Sequence, residues 1–288
     1  MNKYVVVMDV SGDILQASVD EYGLKFIPMQ YSLGEEMRTS YGREPEEIMK
    51  KFYDGQRKGD LTRTSQITPF MYEEYFEPFL KDGCSVLYLC LSSGLSSTYS
   101  AACLAKEALK EKYPDLDVYP IDSLSATGGM GVLIERALEN QRKGMSIEDN
   151  KADIEKLVSH TRCWFLVQDL NYLKRGGRVS STTAFVGSML NIKPILRIDD
   201  NGKLTTIAKK HGNKAAVNAL FDFFKNSFDP ALGNTIYLCD ANCKDLSDSL
   251  ASLVKQAYPD LKIKQATLCP IIGAHTGPGM LAICHFAK

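Results

Sequence analysis

The chain has 288 residues, 44% of them hydrophobic and 24% charged, with a formal net charge of −1. That length and apolar content support one large domain or two ordinary ones around a sizeable core. A balanced charge argues against a general nucleic-acid or membrane-surface binder, and no apolar run reaches the length of a membrane span, so no stable membrane insertion is expected.

Residues 1–9 carry an acidic residue too early for a secretion signal, and 5–9 reads as a buried strand. Ser11, Gly12 and Asp13 then turn at its carboxyl end, where open α/β sheets place ligands. A short strand is expected over 26–29 and a helix over 44–58. Thr68 as N-cap with Pro69 at the first helical position starts a helix through 79. Thr64, Ser65 and Gln66 are therefore loop groups just ahead of a helix. Residues 86–91 form an unbroken apolar run of buried-strand length.

Ser92-Ser93-Gly94-Leu95-Ser96-Ser97-Thr98 follows, and then Tyr99, Ala102, Cys103 and Leu109 at helical spacing. A strand feeding a helix through small hydroxyl residues makes an anion cradle: free N–H groups and the helix dipole favour negative charge, Gly94 admits backbone closely, and Ser93 and Ser96 add donors. Plain helix capping is the competing reading. Neither a Walker loop nor a G-x-S-x-G elbow is present.

A strand at 117–121 ends in Asp122-Ser123-Leu124-Ser125, with helices over 126–140 and 146–159, the second opening on a Ser146/Asp149 near-capping box. This alternation implies a parallel sheet with helices on both faces. Its loops would gather Ser11, Thr64, Ser93 or Ser96, and Ser123 around one ligand crevice.

Composition changes near 160. After a strand at 163–167 comes a basic, glycine-containing segment, 171–181, expected to be exposed, and an apolar helix over 184–190. Strands at 193–197 and 203–208 flank Asp199-Asp200-Asn201-Gly202, a hairpin signal. A helix at 214–228, strand at 235–240, helix at 246–257 and strand at 263–268 precede His275-Thr276-Gly277-Pro278-Gly279 and a last strand, 280–286. The fold class is thus α/β in two domains: a parallel three-layer α/β/α domain over 1–160, and a two-layer α/β domain with a mixed sheet over 161–288. None of the eight cysteines forms a Cys-x-x-C pair, and Cys239 and Cys243 belong to no zinc pattern. Cys84, Cys90, Cys163, Cys269 and Cys284 lie in apolar runs, so reduced thiols, a cytoplasmic location and no metal or cofactor are expected.

Taken in order, these motifs resemble the DegV family, which includes the fatty-acid-binding subunits of bacterial two-component fatty acid kinases. Thr64-Ser65-Gln66 is similar to the family's TSQ loop, and 91–99 to its SSxLSGTY signature. Residues 173–179 (LKRGGRV) with 192–196 resemble its glycine-arginine and K-P-I-L block, and 275–279 its H-x-G-P-G. The resemblance covers nearly the whole chain. It implies two α/β domains with a long-chain fatty acid between them, its carboxylate held by Thr64, Ser93 or Ser96, and His275, with Gly94, Ser65 and Gly277 as supporting backbone. It also implies a separate kinase subunit, which we expect to dock at Arg175 and Arg178. Ser97 departs from the family's usual Gly, Asp9-Val10-Ser11 from its Asp-Ser, and Lys209-Lys210-His211 stands where an Arg is expected.

The leading functional reading is a carrier that buries a fatty acid and presents its carboxylate to that kinase for acyl phosphate formation. It fits a hydroxyl cradle in a chain without catalytic apparatus of its own. The alternative is a Ser/His-dependent enzyme, an acyl hydrolase or phosphotransferase, with Ser93 or Ser96, His275 and Asp9 as nucleophile, base and orienter. A third reading is a regulatory protein with lipid as filler.

Overall fold

Two sheets and one helix between them organise the chain. The computed structural model describes residues 3–42, 44–180 and 191–288, so the helix expected over 184–190 and the end of the 171–181 segment lie outside the described residues. The first half runs β1 (Tyr4–Asp9), α1 (Gln16–Tyr22), β2 (Lys25–Ile27), β3 (Met29–Leu33), β4 (Glu36–Ser40), α2 (Glu46–Lys58), α3 (Pro69–Lys81), β5 (Ser85–Cys90), α4 (Thr98–Lys112), β6 (Val118–Asp122), α5 (Gly128–Arg142) and α6 (Ile147–Val158). The second runs β7 (Thr161–Leu166), α7 (Asn171–Arg175), β8 (Ile192–Ile198), β9 (Leu204–His211), α8 (Asn213–Ser227), β10 (Thr235–Asp240), α9 (Lys244–Ala257), β11 (Lys262–Thr267), α10 (Pro270–Thr276) and β12 (Leu281–Phe286).

The first sheet, in the order β2-β1-β5-β6, is parallel throughout. Every residue of β5 is buried, as a parallel strand covered on both faces requires. Helices α3 and α4 cover one face, α5 and α6 the other. Thr68 caps α3 by accepting from Met71 N at 3.3 Å, and Ser146 caps α6 by accepting from Asp149 N at 3.1 Å. The second sheet, β11-β10-β12-β7-β8-β9, is mixed: β10 and β11 run parallel, and the other pairs antiparallel. Helices α8 and α9 cover its outer face, and α5 packs on its inner face against β7, β10 and β12.

Helix α5 is therefore shared by both sheets, and it is buried nearly all round, the pattern of a core helix. Its glycine edge makes this possible. A Cβ on Gly128 would lie 2.5 Å from Tyr237 Cβ and 2.8 Å from Cys239 Sγ; one on Gly131 would lie 2.9 Å from the Asp13 carbonyl oxygen. One apolar cluster runs from the first sheet through α5 to the inner face of the second, and another lies under α8 and α9.

The structure adds three short helices and a hairpin absent from the sequence reading, one of the helices being the five-residue α7. Helices α1 and α10 have seven residues each, too short for a 3.6-residue period to stand out. The β3–β4 hairpin belongs to neither large sheet; Gly34 turns it with φ +64°. The basic segment expected to be exposed is only partly so: Leu173 and Val179 are buried and Arg178 is half-buried.

Because the contact at Gly128 is with strand residues held in a sheet, Gly128→Ala should cost about 1–3 kcal/mol through overpacking. A lower urea midpoint with an unchanged m-value is the expected result.

Candidate functional site

The hairpin missed from the sequence is what positions Thr64. Residues 63–65 lie along β3: Ser32 N donates to Arg63 O at 2.9 Å, Ser65 N donates to Gln30 O at 3.1 Å, and Tyr31 bridges to Thr64. One residue earlier, Thr62 Oγ1 donates to Ala274 O at 2.9 Å, tying the same loop to α10. His275, in the last turn of α10, is thereby held with Nε2 2.9 Å from Thr64 Oγ1.

The glycines of the LKRGGRV and HTGPG segments are explained by this contact. A side chain on Gly176 would strike His275 Nδ1, and one on Gly277 (φ +74°) would strike the Tyr172 ring. Tyr172 in turn donates its hydroxyl to Gln56 O at 3.0 Å. Loop 171–178 therefore lies flat against the imidazole. Arg178 donates from Nε to Leu95 O at 3.1 Å and from Nη1 to Gly176 O. Its side chain spans from the second sheet's loop to the loop after β5.

Electrostatics follow from burial. Desolvation, then the nearby Arg178 charge, brings the His275 pKa down to about 4, so the ring is neutral at pH 7. Its Nδ1 is buried without a partner among the described residues. An unpaired nitrogen lone pair is cheaper to bury than an unpaired N–H, which favours the tautomer with the proton on Nε2. Nε2–H then donates to Thr64 Oγ1, and the Thr64 hydroxyl proton is left to donate elsewhere. Burial lowers the Arg178 pKa, and among the described residues no carboxylate acts on it.

Arg178 and His275 line a cavity of about 60 Å³, and Thr64 joins them through its contact with His275. Its apolar wall takes Leu91 and Leu95 from the first sheet's loop, Phe165 and Ile198 from the second sheet, and Ile271 and Ile272 from α10. Its polar groups are Ser96, Thr127, Arg178, His275 and Thr276. Ser96 Oγ lies 2.5 Å from Thr98 Oγ1 and accepts from Thr98 N at 3.3 Å, so it both caps α4 and faces the cavity.

Other sequence candidates lie elsewhere. Ser93 is exposed, its N–H bonded to Asp122 Oδ1 at 3.0 Å. The close approach that Gly94 permits is by the hairpin turn of β8–β9: its Cβ would lie 2.5 Å from the Gly202 carbonyl oxygen, and Ser92 Oγ donates to the same oxygen at 2.8 Å. Arg175 is exposed, stacked 4.6 Å over the Tyr172 ring. Ser11 donates to Asp9, and Ser123 Oγ to Ser125 O at 3.1 Å. Both are fully buried, so the four-hydroxyl crevice reduces to Thr64 and Ser96. Sequence reasoning missed Thr127, which sits at φ +50° and donates to Asp13 Oδ2 at 2.5 Å. Asp13 also accepts from Cys269 N at 2.7 Å, linking the starts of α5 and α10.

The nucleophile-base-orienter arrangement does not form. Asp9 accepts from Ser11 N, Ser11 Oγ, Tyr88 OH and Leu91 N, and among the described residues no carboxylate orients His275, whose depressed pKa also makes it a weak base near pH 7. Among the described residues no cluster of three or more His, Cys, Asp or Glu side chains is placed to hold a metal. No helix of the described residues is long and apolar enough to cross a membrane.

His275 makes a pH prediction. Its folded pKa lies below the ordinary histidine value of 6.5, so the unfolded chain protonates first as pH falls. The stability its neutral form contributes should be intact above pH 6.5 and lost progressively down to about pH 4. NMR titration should place its midpoint near 4, and Arg178→Ala should raise it.

Comparison with known proteins bears on this geometry. Over residues 3–288 the chain matches the family described as "Uncharacterised protein, DegV family". A DegV domain-containing protein of Clostridium perfringens is 34% identical over 285 residues, covering 98% of this chain and 97% of that protein. Among solved structures, a DegV lipid-binding protein from Thermotoga maritima superposes with a TM-score of 0.85 at 27% identity, covering 99% of this chain and 100% of the other. A DegV family protein from Thermus thermophilus, described for its fatty acid binding, superposes with a TM-score of 0.84 at 25% identity over the full length of both. With both sheets, the TSQ loop and the histidine loop falling inside one end-to-end match, the chain belongs to the DegV family.

Proposed function

We propose that this protein is a carrier that binds a long-chain fatty acid in the cavity between its two sheets. One observation carries the reading: Arg178, half-buried and without a carboxylate partner among the described residues, stands with the neutral His275, which Thr64 holds, on a cavity whose other walls are mostly apolar with a few hydroxyls. A buried cation without a counter-ion costs free energy unless an anion joins it. A carboxylate whose tail is hydrocarbon satisfies both halves of the cavity. The DegV relatives of known structure described for lipid or fatty acid binding support the same ligand class.

In this reading the carboxylate accepts from the Thr64 hydroxyl, from Ser96 and from the Arg178 guanidinium, all stronger for being charge-assisted. Ser96 is preferred over Ser93 because it faces the cavity. His275 holds Thr64 with its proton outward and adds no charge. Each methylene buried contributes about 0.8 kcal/mol, so the tail supplies most of the affinity and the head group supplies orientation. The cavity of about 60 Å³ is well below the roughly 300–1,000 Å³ of ordinary ligand pockets. Its walls therefore part as the acyl chain enters.

The carrier presents the carboxylate to a separate kinase subunit. Arg175, exposed on the same loop as Arg178, is the docking candidate, because an exposed charge steers association without taking part in lipid binding.

Organic extraction of freshly purified protein should yield a stoichiometric long-chain acid; none in protein that has not been stripped overturns the carrier. Thr64→Ala, Ser96→Ala and Arg178→Ala should each weaken oleate binding by about 1–3 kcal/mol, read by titration calorimetry. Wild-type affinity in all three would remove the head-group assignment. Arg175→Glu should keep wild-type lipid occupancy while slowing acyl phosphate formation with the partner kinase; equal loss of both would move Arg175 into the lipid site.

A further inference from the structure

The inner wall of the cavity carries a thiol pair that the head-group chemistry does not use. Cys163 on β7 and Cys284 on β12 are directly opposite in the antiparallel register. Both are buried, and their sulfurs are 3.3 Å apart. Cys163 also lines the cavity, beside Phe165 and Met280. Cys163 thus faces whatever acyl chain the cavity holds, with the Cys284 sulfur in contact with it from within the sheet. Cys239, on β10, faces the same core but pairs with Ala282 rather than with Cys284, so the register singles out one pair.

Opposed strand residues place their Cβ atoms about 4.5–5.5 Å apart, against about 3.5–4.5 Å across a disulfide. Joining the sulfurs takes a rotation of both side chains and a closing of the two strands by up to about 1 Å at this pair, with the register kept. Burial holds the Cys284 thiol well above its usual pKa, which keeps it protonated and slow toward oxidants dissolved in water. An oxidant held inside the cavity meets the same protonated thiols, and its proximity is what speeds the reaction.

We propose that Cys163 and Cys284 form a redox site that reduces a fatty acyl hydroperoxide bound in the cavity; this rests on the carrier reading above. The Cys163 sulfur attacks the terminal peroxide oxygen. The O–O bond breaks, the hydroxy fatty acid leaves with the thiol proton, and Cys163 becomes a sulfenic acid. The Cys284 sulfur then displaces water from it, forming the disulfide. In sum, one hydroperoxide and two thiols give one alcohol, one disulfide and one water. A free dithiol in solution resets the pair by thiol-disulfide exchange.

The test uses the full chain, reduced, with three probes: linoleic acid, linoleic acid hydroperoxide and hydrogen peroxide. Native mass spectrometry reports lipid occupancy and peptide mapping reports the disulfide. Linoleic acid should bind and leave the thiols reduced. The hydroperoxide should bind, form the Cys163–Cys284 disulfide and appear as one equivalent of hydroxy acid. Hydrogen peroxide should act at least about tenfold more slowly on this pair and reach the half-buried Cys103 first. Cys284→Ala should stop at a Cys163 sulfenic acid that dimedone traps; if that variant fails to fold, the wild-type mapping decides alone. Hydroperoxide bound with both thiols still reduced overturns the redox site and leaves the carrier standing. Neither acid bound overturns the carrier and this inference with it. Equal rates with hydrogen peroxide overturn delivery through the cavity.

Discussion

The structure depends on a helix with almost no free surface. α5 closes the first sheet on one side and the second on the other, and it does so because glycines at 128 and 131 remove the side chains that would hold Tyr237 and the Asp13 backbone away. Burying one helix against both sheets joins them through a shared apolar cluster. The same helix carries Glu135, buried and bonded to Tyr237 OH at 2.5 Å and to Lys264 from β11. Lys264 also reaches Ser18 on α1 at 2.9 Å. This ion pair is buried where its loss would leave an uncompensated charge, so it adds specificity of docking more than net stability.

Around α5 the polar chemistry is handled by backbone donors. Asp9 and Asp13 are buried at the carboxyl end of β1 with hydroxyl and backbone donors but no cation bonded to them among the described residues, and burial raises both, Asp13 to about 6. They act as brackets: Asp9 fixes the loop after β5 through Leu91, and Asp13 fixes the starts of α5 and α10. Those three segments are the ones that bring Ser96, Thr127 and His275 to the cavity. The fold thus sets the site from behind, through carboxylates that never reach it.

At the front, the site separates charge from orientation. His275 is too buried to be charged near neutrality and serves as a fixed donor behind Thr64. Arg178 keeps its charge because a guanidinium stays protonated even when burial lowers its pKa, and two of its donors are taken by carbonyls on opposite sides of the cavity. Nearby, the Gly202 turn of β8–β9 rests on Ser92 and Gly94. Each sheet therefore contributes both wall and hinge, and widening the cavity moves contacts that also hold the sheets together.

How much of this was written in the sequence divides along physical lines. Apolar periodicity, strand runs, Thr68 and Ser146 as caps, and the Asn-Gly hairpin turn are local, and they determined both sheets, most helices and their order. Thr64 and Ser96 were legible as candidates because hydroxyls ahead of helix starts are local patterns too, and His275 through the resemblance of its Gly-Pro-Gly loop to that of the DegV family. Which of them meet was not local. Ser93 and Ser96 differ by three positions, and only the turn around Gly94, set by a strand more than a hundred residues away, sends one to solvent and the other to the cavity. Arg178 looked like an exposed loop charge because nothing in LKRGGRV shows that Gly176 must lie flat on an imidazole from α10. Thr127 and the Cys163–Cys284 contact depend on helix and strand partners that no window of sequence contains. The sequence determined the elements and the chemical inventory. The tertiary structure alone decided which groups share a cavity, because burial and contact are properties of pairs brought together from distant parts of the chain.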